Sequence, residues 1–136
     1  MKLILLIALA QKTAPDVGVC PPFPYLPQVG ALLAGTNVRW GAQTVCEHRT
    51  GAYTGQVSAS MLRDLGCTYA IVGHSERRTD HHESDALVSA KARAAIAARL
   101  IPIICVGETR AEREAGQALE IVSRQLAASI PDDVGE

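Results

Sequence analysis

The chain has 136 residues, 48% of them hydrophobic, and its 13 Lys and Arg against 14 Asp and Glu leave a formal net charge of −1. This length and composition predict one compact domain with a packed core and exclude a disordered chain. No basic run is present, which excludes a nucleic-acid surface as the basis of function.

The cysteines are far apart in the sequence, and none of them belongs to a C-x-x-C pair. They are Cys20, Cys46, Cys67 and Cys105. Thiols with this spacing are typical of reduced, buried cysteines rather than of a disulfide framework or a metal centre. We therefore expect no metal and a cytoplasmic location.

Residues 1–10 consist of an early lysine and an apolar run that ends in Ala-Leu-Ala. The pattern resembles a very short secretory signal, but it is shorter than the usual ~15–30 residues and has no developed polar region. The run is also too short to span a bilayer, so no membrane partner is expected. The preferred interpretation is the end of a core helix, or a non-homologous start over residues 1–15, with export as the alternative.

The rest of the chain alternates short apolar runs with amphipathic segments. The runs predict strands over residues 16–20, 38–42, 69–73 and 101–106. The amphipathic segments predict helices over residues 25–33, 85–99 and 112–128. Units of this kind, spaced roughly 25 to 35 residues apart, predict an α/β fold with parallel strands and right-handed crossovers. Residues 131–136 form a polar, linker-like tail of this single domain.

Polar side chains follow the third predicted strand at once, in the sequence Gly73-His74-Ser75-Glu76-Arg77-Arg78. Serine is a residue type that caps helices, so Ser75 predicts a helix start beside His74. An imidazole at the carboxyl end of a strand and the amino end of a helix lies where α/β proteins place their sites.

This sequence resembles the signature around the electrophilic histidine of the triosephosphate isomerase family. The similarity includes residues 41–45, 51–58, 83–85 and 103–109, and it runs from about Val17 to Gln125. A complete (β/α)₈ barrel needs roughly 250 residues, so the resemblance implies a partial TIM barrel made of strand-helix units two to five. It also implies a cytoplasmic, homodimeric isomerase of glycolysis and gluconeogenesis that interconverts dihydroxyacetone phosphate and glyceraldehyde 3-phosphate without a cofactor.

The resemblance assigns roles to residues around the predicted site. His74 becomes the electrophile that polarises the substrate carbonyl. The family is itself the standard example of a histidine kept neutral by a helix amino terminus, which would here begin at Ser75. Glu76 resembles a buried carboxylate near the active centre, and the alternative is a first-turn glutamate favoured by the helix dipole. Cys105 resembles a strand cysteine close to the catalytic base, and we interpret it as a packing residue rather than a nucleophile.

The loop over residues 46–56 resembles the family's third loop, which enters a pocket of the neighbouring subunit. Tyr53 and Thr54 lie near its tip, and an ordinary exposed loop is the alternative interpretation. In the family, Arg77 supports this loop through an ion pair with a glutamate. Gln56 stands at that position here, so we expect at most a hydrogen bond and a weaker loop and dimer.

His81, His82 and Glu83 form a short polar group that invites a metal hypothesis. Adjacent side chains point in different directions on a helix or a strand, so they cannot easily share one ion. We therefore expect solvent exposure for these three residues.

Several family elements have no counterpart among the 136 residues. One is the Glu-Pro-Val-Trp-Ala-x-Gly-Thr-Gly segment, which supplies the catalytic base and the closing lid. The others are the glycine-pair site that binds phosphate and an Asn-x-Lys element whose lysine binds the substrate phosphate. Lys2 and Lys12 stand in another context. Loss of the base alone lowers the rate roughly 10²–10⁴-fold, so we expect this chain to be inactive by itself.

Open strand edges also predict that the chain forms homo-oligomers or recruits complementing barrel segments. Triose phosphate would be its substrate when the barrel is completed. Two alternatives stay open. One is a non-catalytic remnant that binds a full-length relative through Tyr53 and Thr54, and the other is an independent α/β phosphate-binding module.

Overall fold

The computed structural model of the protein describes residues 17–132. The expectations for residues 1–10, Lys2, Lys12 and the end of the tail concern residues outside this range. In chain order the elements are β1 Val17–Val19, a 3₁₀ turn Phe23–Tyr25, α1 Leu26–Leu33, β2 Val38–Ala42, α2 Ala59–Asp64, β3 Tyr69–Val72, α3 Ser75–Asp80, α4 Asp85–Ala97, β4 Ile101–Ile104, α5 Arg110–Glu114 and α6 Ala118–Ser129.

The strands form one sheet in the order β1-β2-β3-β4, and every pairing is parallel. Tyr69 of β3 pairs with Gly41 of β2 on one side and with Ile101 of β4 on the other. Because the strands are parallel, their carboxyl ends lie at one edge of the sheet. The predicted α/β fold with four parallel strands is confirmed.

The core lies between this sheet and the helices that connect its strands. Its fully buried apolar side chains include Leu26 of α1, Leu62 of α2, Val72 of β3 and Val88 of α4. The exposed fractions of Ile101 and Ile103, on the alternate positions of β4, are 50% and 42%. The half-barrel therefore has an apolar strand surface that the described residues leave partly open.

Helix α2 was not predicted, because six residues are too few to establish a helical period in the sequence. Ser58 caps it, with its hydroxyl accepting a hydrogen bond from the Met61 N–H at 3.4 Å. Leu62 is its fully buried anchor.

The last predicted helix is in fact two helices. A capping box formed by Thr109 and Glu112 starts α5 earlier than expected. Gly116 then has a φ of +75° between α5 and α6, a left-handed conformation that ends a helix. Between residues 17 and 132, none of the helices combines the length and the apolar character needed to cross a lipid bilayer.

Candidate active site

A sharp turn places His74 at the carboxyl edge of the sheet. Strand β3 ends at Val72, and Gly73 has a φ of +69°. His74 then takes an extended conformation and occupies the N-cap position of α3. The prediction of Ser75 as the cap is wrong by one residue, since the turn at Gly73 ends the strand early and Ser75 is already helical.

The imidazole of His74 lies at a cavity of about 450 Å³. Phe23 after β1, Gln43 and Thr44 after β2, and Arg77 of α3 also line this cavity. The His74 side chain is 46% exposed. The carboxyl ends of three neighbouring strands thus supply one concave surface with a solvent-accessible imidazole in it.

Glu76 is exposed, so the interpretation as a buried carboxylate is wrong, and the alternative of a first-turn glutamate is confirmed. Its side chain is 79% exposed, and Oε2 lies 3.5 Å from Nδ1 of His74. Glu76 is the second residue of α3 and projects from the first turn at the rim of the cavity. Its contact with His74 is longer than a well-formed hydrogen bond.

The buried carboxylate near the site is Glu83, whose side chain is only 2% exposed. Its Oε1 accepts hydrogen bonds from Nζ of Lys91 and from Nε of Arg77, both at 2.5 Å. Lys91 is itself buried and also contacts Oγ1 of Thr44 at 3.5 Å. Among the described residues, Oε2 of Glu83 has no hydrogen-bond partner.

The expected exposure of Glu83 is therefore wrong, whereas His81 and His82 are exposed as predicted. The segment after α3 folds back, and the Glu83 N–H donates to the carbonyl of Arg77 at 3.2 Å. One signal in the sequence could have revealed this burial. Lys91 stands in the apolar stripe of α4 formed by Val88, Ala92 and Ala95, and a lysine at such a position needs a buried anion.

Arg77 pairs with Glu83 rather than with Gln56, which lies within the expectation of at most a hydrogen bond between Arg77 and Gln56. Gln56 is exposed, and its N–H donates to the carbonyl of Tyr53 at 3.0 Å within the loop. Glu83 is nearer because the segment after α3 returns beneath this helix. Arg77 therefore supports the wall of the cavity rather than the loop over residues 46–56.

Acid should weaken the fold through Glu83. Burial by itself raises the pKa of Glu83, but the hydrogen bonds and charges of Lys91 and Arg77 outweigh burial and hold the pKa below its ordinary value of 4.5. The unfolded chain therefore takes up this proton first as the pH falls, and the stabilisation present above about pH 4.5 is lost below it. Urea unfolding between pH 3 and pH 7 should show a flatter pH dependence for Glu83→Gln than for the wild type. Equal slopes would contradict this prediction.

Cys105 follows β4 and is half-buried. Its N–H donates to the carbonyl of Val72 at 2.9 Å, which continues the pairing of β3 and β4. Burial raises the pKa of the Cys105 thiol, and the positive charge of Arg78 offsets only part of this effect. A protonated thiol is a poor nucleophile, which supports a packing role.

The loop over residues 46–56 has an exposed tip and a closed base. At the base, the Cys46 N–H donates to the carbonyl of Val57 at 2.9 Å. Near the tip, the rings of His48 and Tyr53 stack with centroids 3.9 Å apart and planes inclined by 6°. Tyr53 is 44% exposed and Thr54 is exposed as well. The loop is therefore ordered by its own contacts, with its tip accessible.

Among the residues predicted for the active centre, the side chains of His74 and Glu76 approach each other to 3.5 Å. Arg77 lines the same cavity, whereas Ser75 is exposed on α3. Tyr53 and Gln56 line a different cavity of about 290 Å³ beside Met61. Within residues 17–132, no group of three or more His, Cys, Asp and Glu side chains is arranged to hold a metal ion.

The chain is similar to one family of proteins over nearly its whole length. The family model described as triosephosphate isomerase matches residues 4–135. The triosephosphate isomerase of Thiobacillus denitrificans is 61% identical over 115 residues, which are 85% of this chain and 46% of that protein. The enzyme of Cupriavidus pinatubonensis is 60% identical over 122 residues, which are 88% of this chain and 50% of that protein.

A solved structure has the same arrangement of elements. The crystal structure of triosephosphate isomerase from Bartonella henselae superposes with a TM-score of 0.90 at 40% sequence identity. The match covers 96% of this chain and 55% of that one. This chain therefore spans about half the length of the curated relatives it matches.

Proposed function

Because the chain belongs to the triosephosphate isomerase family, we propose that it contributes the electrophilic part of an isomerase active site. The proposed reaction interconverts dihydroxyacetone phosphate and glyceraldehyde 3-phosphate in glycolysis and gluconeogenesis, in the cytoplasm and without a cofactor. The observation that carries this proposal is the position of His74, at the cap between β3 and α3 and in the wall of a cavity.

His74 would act on the substrate carbonyl. When a base removes the proton from the neighbouring carbon, negative charge develops on the carbonyl oxygen. An imidazole N–H held in place before the reaction stabilises this charge without a cost for reorganisation. The half-exposed ring at the cavity supports this role, because 46% of the His74 side chain is accessible beside the cavity.

The residues around His74 would support it in the active site. Glu76 stands at the rim and Arg77 in the wall of the cavity, while Ser75 begins the helix that follows His74. Cys105 packs at the end of the adjacent strand. No segment of the 136 residues resembles the family's base and lid, so we expect residues 1–136 to need complementing barrel segments for turnover.

The loop that carries Tyr53, Thr54 and Gln56 would dock on a second subunit. Its exposed tip and the stacking of His48 on Tyr53 support this interpretation, because a loop ordered before binding loses less entropy on docking. The protein would then be a homodimer in its complete form.

A chimera tests the proposed function. This chain would replace the matching segment of the Thiobacillus denitrificans enzyme, and isomerase turnover would be measured for the chimera and its His74→Gln variant. We expect an active chimera, with turnover lowered about 10²–10³-fold by His74→Gln, which is the usual cost of removing one donor to a developing oxyanion. A folded chimera without activity, or one insensitive to His74→Gln, would sink the proposal.

The 136-residue chain alone provides the second arm of this experiment. We expect the wild-type chain and its His74→Gln variant to show the same trace rate, which then comes from contaminating host enzyme. A clear excess for the wild type would mean that a residue of this chain replaces the missing base.

A further inference from the structure

One side chain at the carboxyl edge of the sheet contacts four elements of the fold. The guanidinium of Arg78 donates to the carbonyl of Gly73 at 2.8 Å and to the carbonyl of Cys105 at 3.2 Å. It also bonds to Oδ1 of Asp85 at 2.5 Å and to Oγ of Ser129 at 3.1 Å. The ends of β3 and β4 are thereby joined to the first residue of α4 and the last residue of α6.

Hydrogen bonds hold both peptide groups of His74, one through the side chain of Arg78 and one through its backbone. The Gly73 carbonyl belongs to the peptide plane that enters His74, and Nε of Arg78 bonds to it. The His74 carbonyl belongs to the plane that leaves it and accepts from the backbone N–H of Arg78 at 3.0 Å, a main-chain bond of α3 that does not depend on the side chain. Two soft dihedrals define the backbone of a residue, so a fixed plane on either side fixes the direction of the Cα–Cβ bond.

The guanidinium is itself held firmly. Its side chain is 15% exposed, and Asp85 supplies the opposite charge. Ser129 is fully buried and also donates from Oγ to the same oxygen of Asp85 at 3.3 Å. Charge-assisted bonds in a buried setting are stronger than those between neutral groups, and the planar guanidinium holds several acceptors in one geometry.

From these contacts we infer that Arg78 is the positioning residue for His74, setting the direction in which the imidazole enters the cavity. Arg78 touches no reacting atom, because its partners are backbone carbonyls and the side chains of Asp85 and Ser129. The inference rests on the proposed function, in which His74 polarises the substrate carbonyl.

Lysine at position 78 would keep the positive charge but not the geometry. Nε of Arg78 bonds to the Gly73 carbonyl, Nη1 to Asp85 and Nη2 to the Cys105 carbonyl. A lysine has three donors, but all of them lie on one nitrogen, which cannot occupy these three separate positions. The peptide plane before His74 then becomes free to tilt. Displacements of about 1 Å at a reacting group can cost on the order of 10²-fold in rate.

The test uses the active chimera described above, with Arg78→Lys, Arg78→Ala and Val38→Ala. Val38 is buried at the start of β2, away from the carboxyl edge, so its truncation provides a loss of stability without a change at His74. We expect Arg78→Lys to lower kcat about 10- to 100-fold with KM changed less than about threefold, because the lost interaction orients the transition state. Val38→Ala should leave kcat close to that of the parent.

Chemical rescue separates positioning from general support of the fold. Added guanidinium ion, well below denaturing concentrations, should restore part of kcat in Arg78→Ala and none in the other variants. Equal kcat in Arg78→Lys and the parent, or the same loss in Val38→Ala, would overturn the inference.

Failure of the proposed function is distinguishable from failure of this inference. An inactive parent chimera would overturn the proposed function. The ¹⁵N signals of the His74 imidazole in the full chain would then test the positioning role of Arg78. Arg78→Lys should shift these signals, and Val38→Ala should not. Unshifted signals in Arg78→Lys would overturn the role of Arg78.

Discussion

Glu83→Leu is expected to destabilise the fold by about 3–5 kcal/mol, the usual cost of breaking a buried ion pair by removing one partner. Lys91 is 4% exposed and would keep its charge without the carboxylate that compensates it. Thr44 would remain as a neutral contact at 3.5 Å. Arg77 is 26% exposed and can turn toward solvent. The loss of stability therefore comes mainly from the uncompensated charge of Lys91. Urea unfolding at fixed protein concentration measures the effect.

The double variant Glu83→Leu with Lys91→Met is the control. Replacing both members of a buried pair by apolar side chains is often neutral or stabilising, so the double variant should be more stable than Glu83→Leu alone. A double variant that loses the sum of the two single effects would show that the charges do not compensate each other. We expect the double variant to be the more stable one because Oε2 of Glu83 is already buried without a partner among the described residues.

Gly73→Ala is expected to cost about 2–5 kcal/mol, from two separate sources. A left-handed conformation costs a residue with a Cβ roughly 1–2 kcal/mol, and overpacking a core costs about 1–3 kcal/mol more. Gly73 has a φ of +69°, and a Cβ there would lie 2.9 Å from both methyl groups of Val88 and 3.0 Å from Nη2 of Arg78. The variant should also lower turnover of the chimera, because it moves the turn that carries His74.

Gly35→Ala is the matched control for this variant. Gly35 has a φ of +77°, but no atom lies within 4 Å of the position that a Cβ would take. It therefore imposes the strain of the backbone without the steric contact, and it should cost about 1–2 kcal/mol. Urea unfolding of both variants separates the two contributions. Equal losses would mean that the contact with Val88 relaxes freely.

The placement of His74 could be predicted from the sequence because local signals determine it. A short β-branched run, a glycine and a helix-favouring segment follow each other directly, so the histidine must lie between a strand and a helix. The four strands could be predicted for the same reason. Their parallel pairing followed from the spacing of the units, since parallel strands need long connections. The short helix α2, the early start of α5 and the break at Gly116 escaped these patterns.

The partners of the charged residues depend on the tertiary structure. Glu76 and Glu83 are both polar residues near the same histidine, and local sequence suggested the wrong one as the buried carboxylate. Glu83 is buried because the segment that follows α3 folds back onto that helix. There Lys91 of α4, eight residues after Glu83, bonds to its carboxylate. The binding of two strand ends by Arg78 involves Ser129, 51 residues away.

The sequence by itself determined the order of strands and helices, the position of His74 at a strand end, and the resemblance to one family. These properties depend on hydrophobic periodicity and on short motifs, which act between neighbours in the chain. Only the tertiary structure decided which carboxylate is buried, which cation compensates it, and which side chain bonds to the peptide group before His74. Such choices depend on desolvation and on distances between elements. The local pattern around Lys91 indicates that a buried anion is needed, but it does not say which carboxylate supplies it.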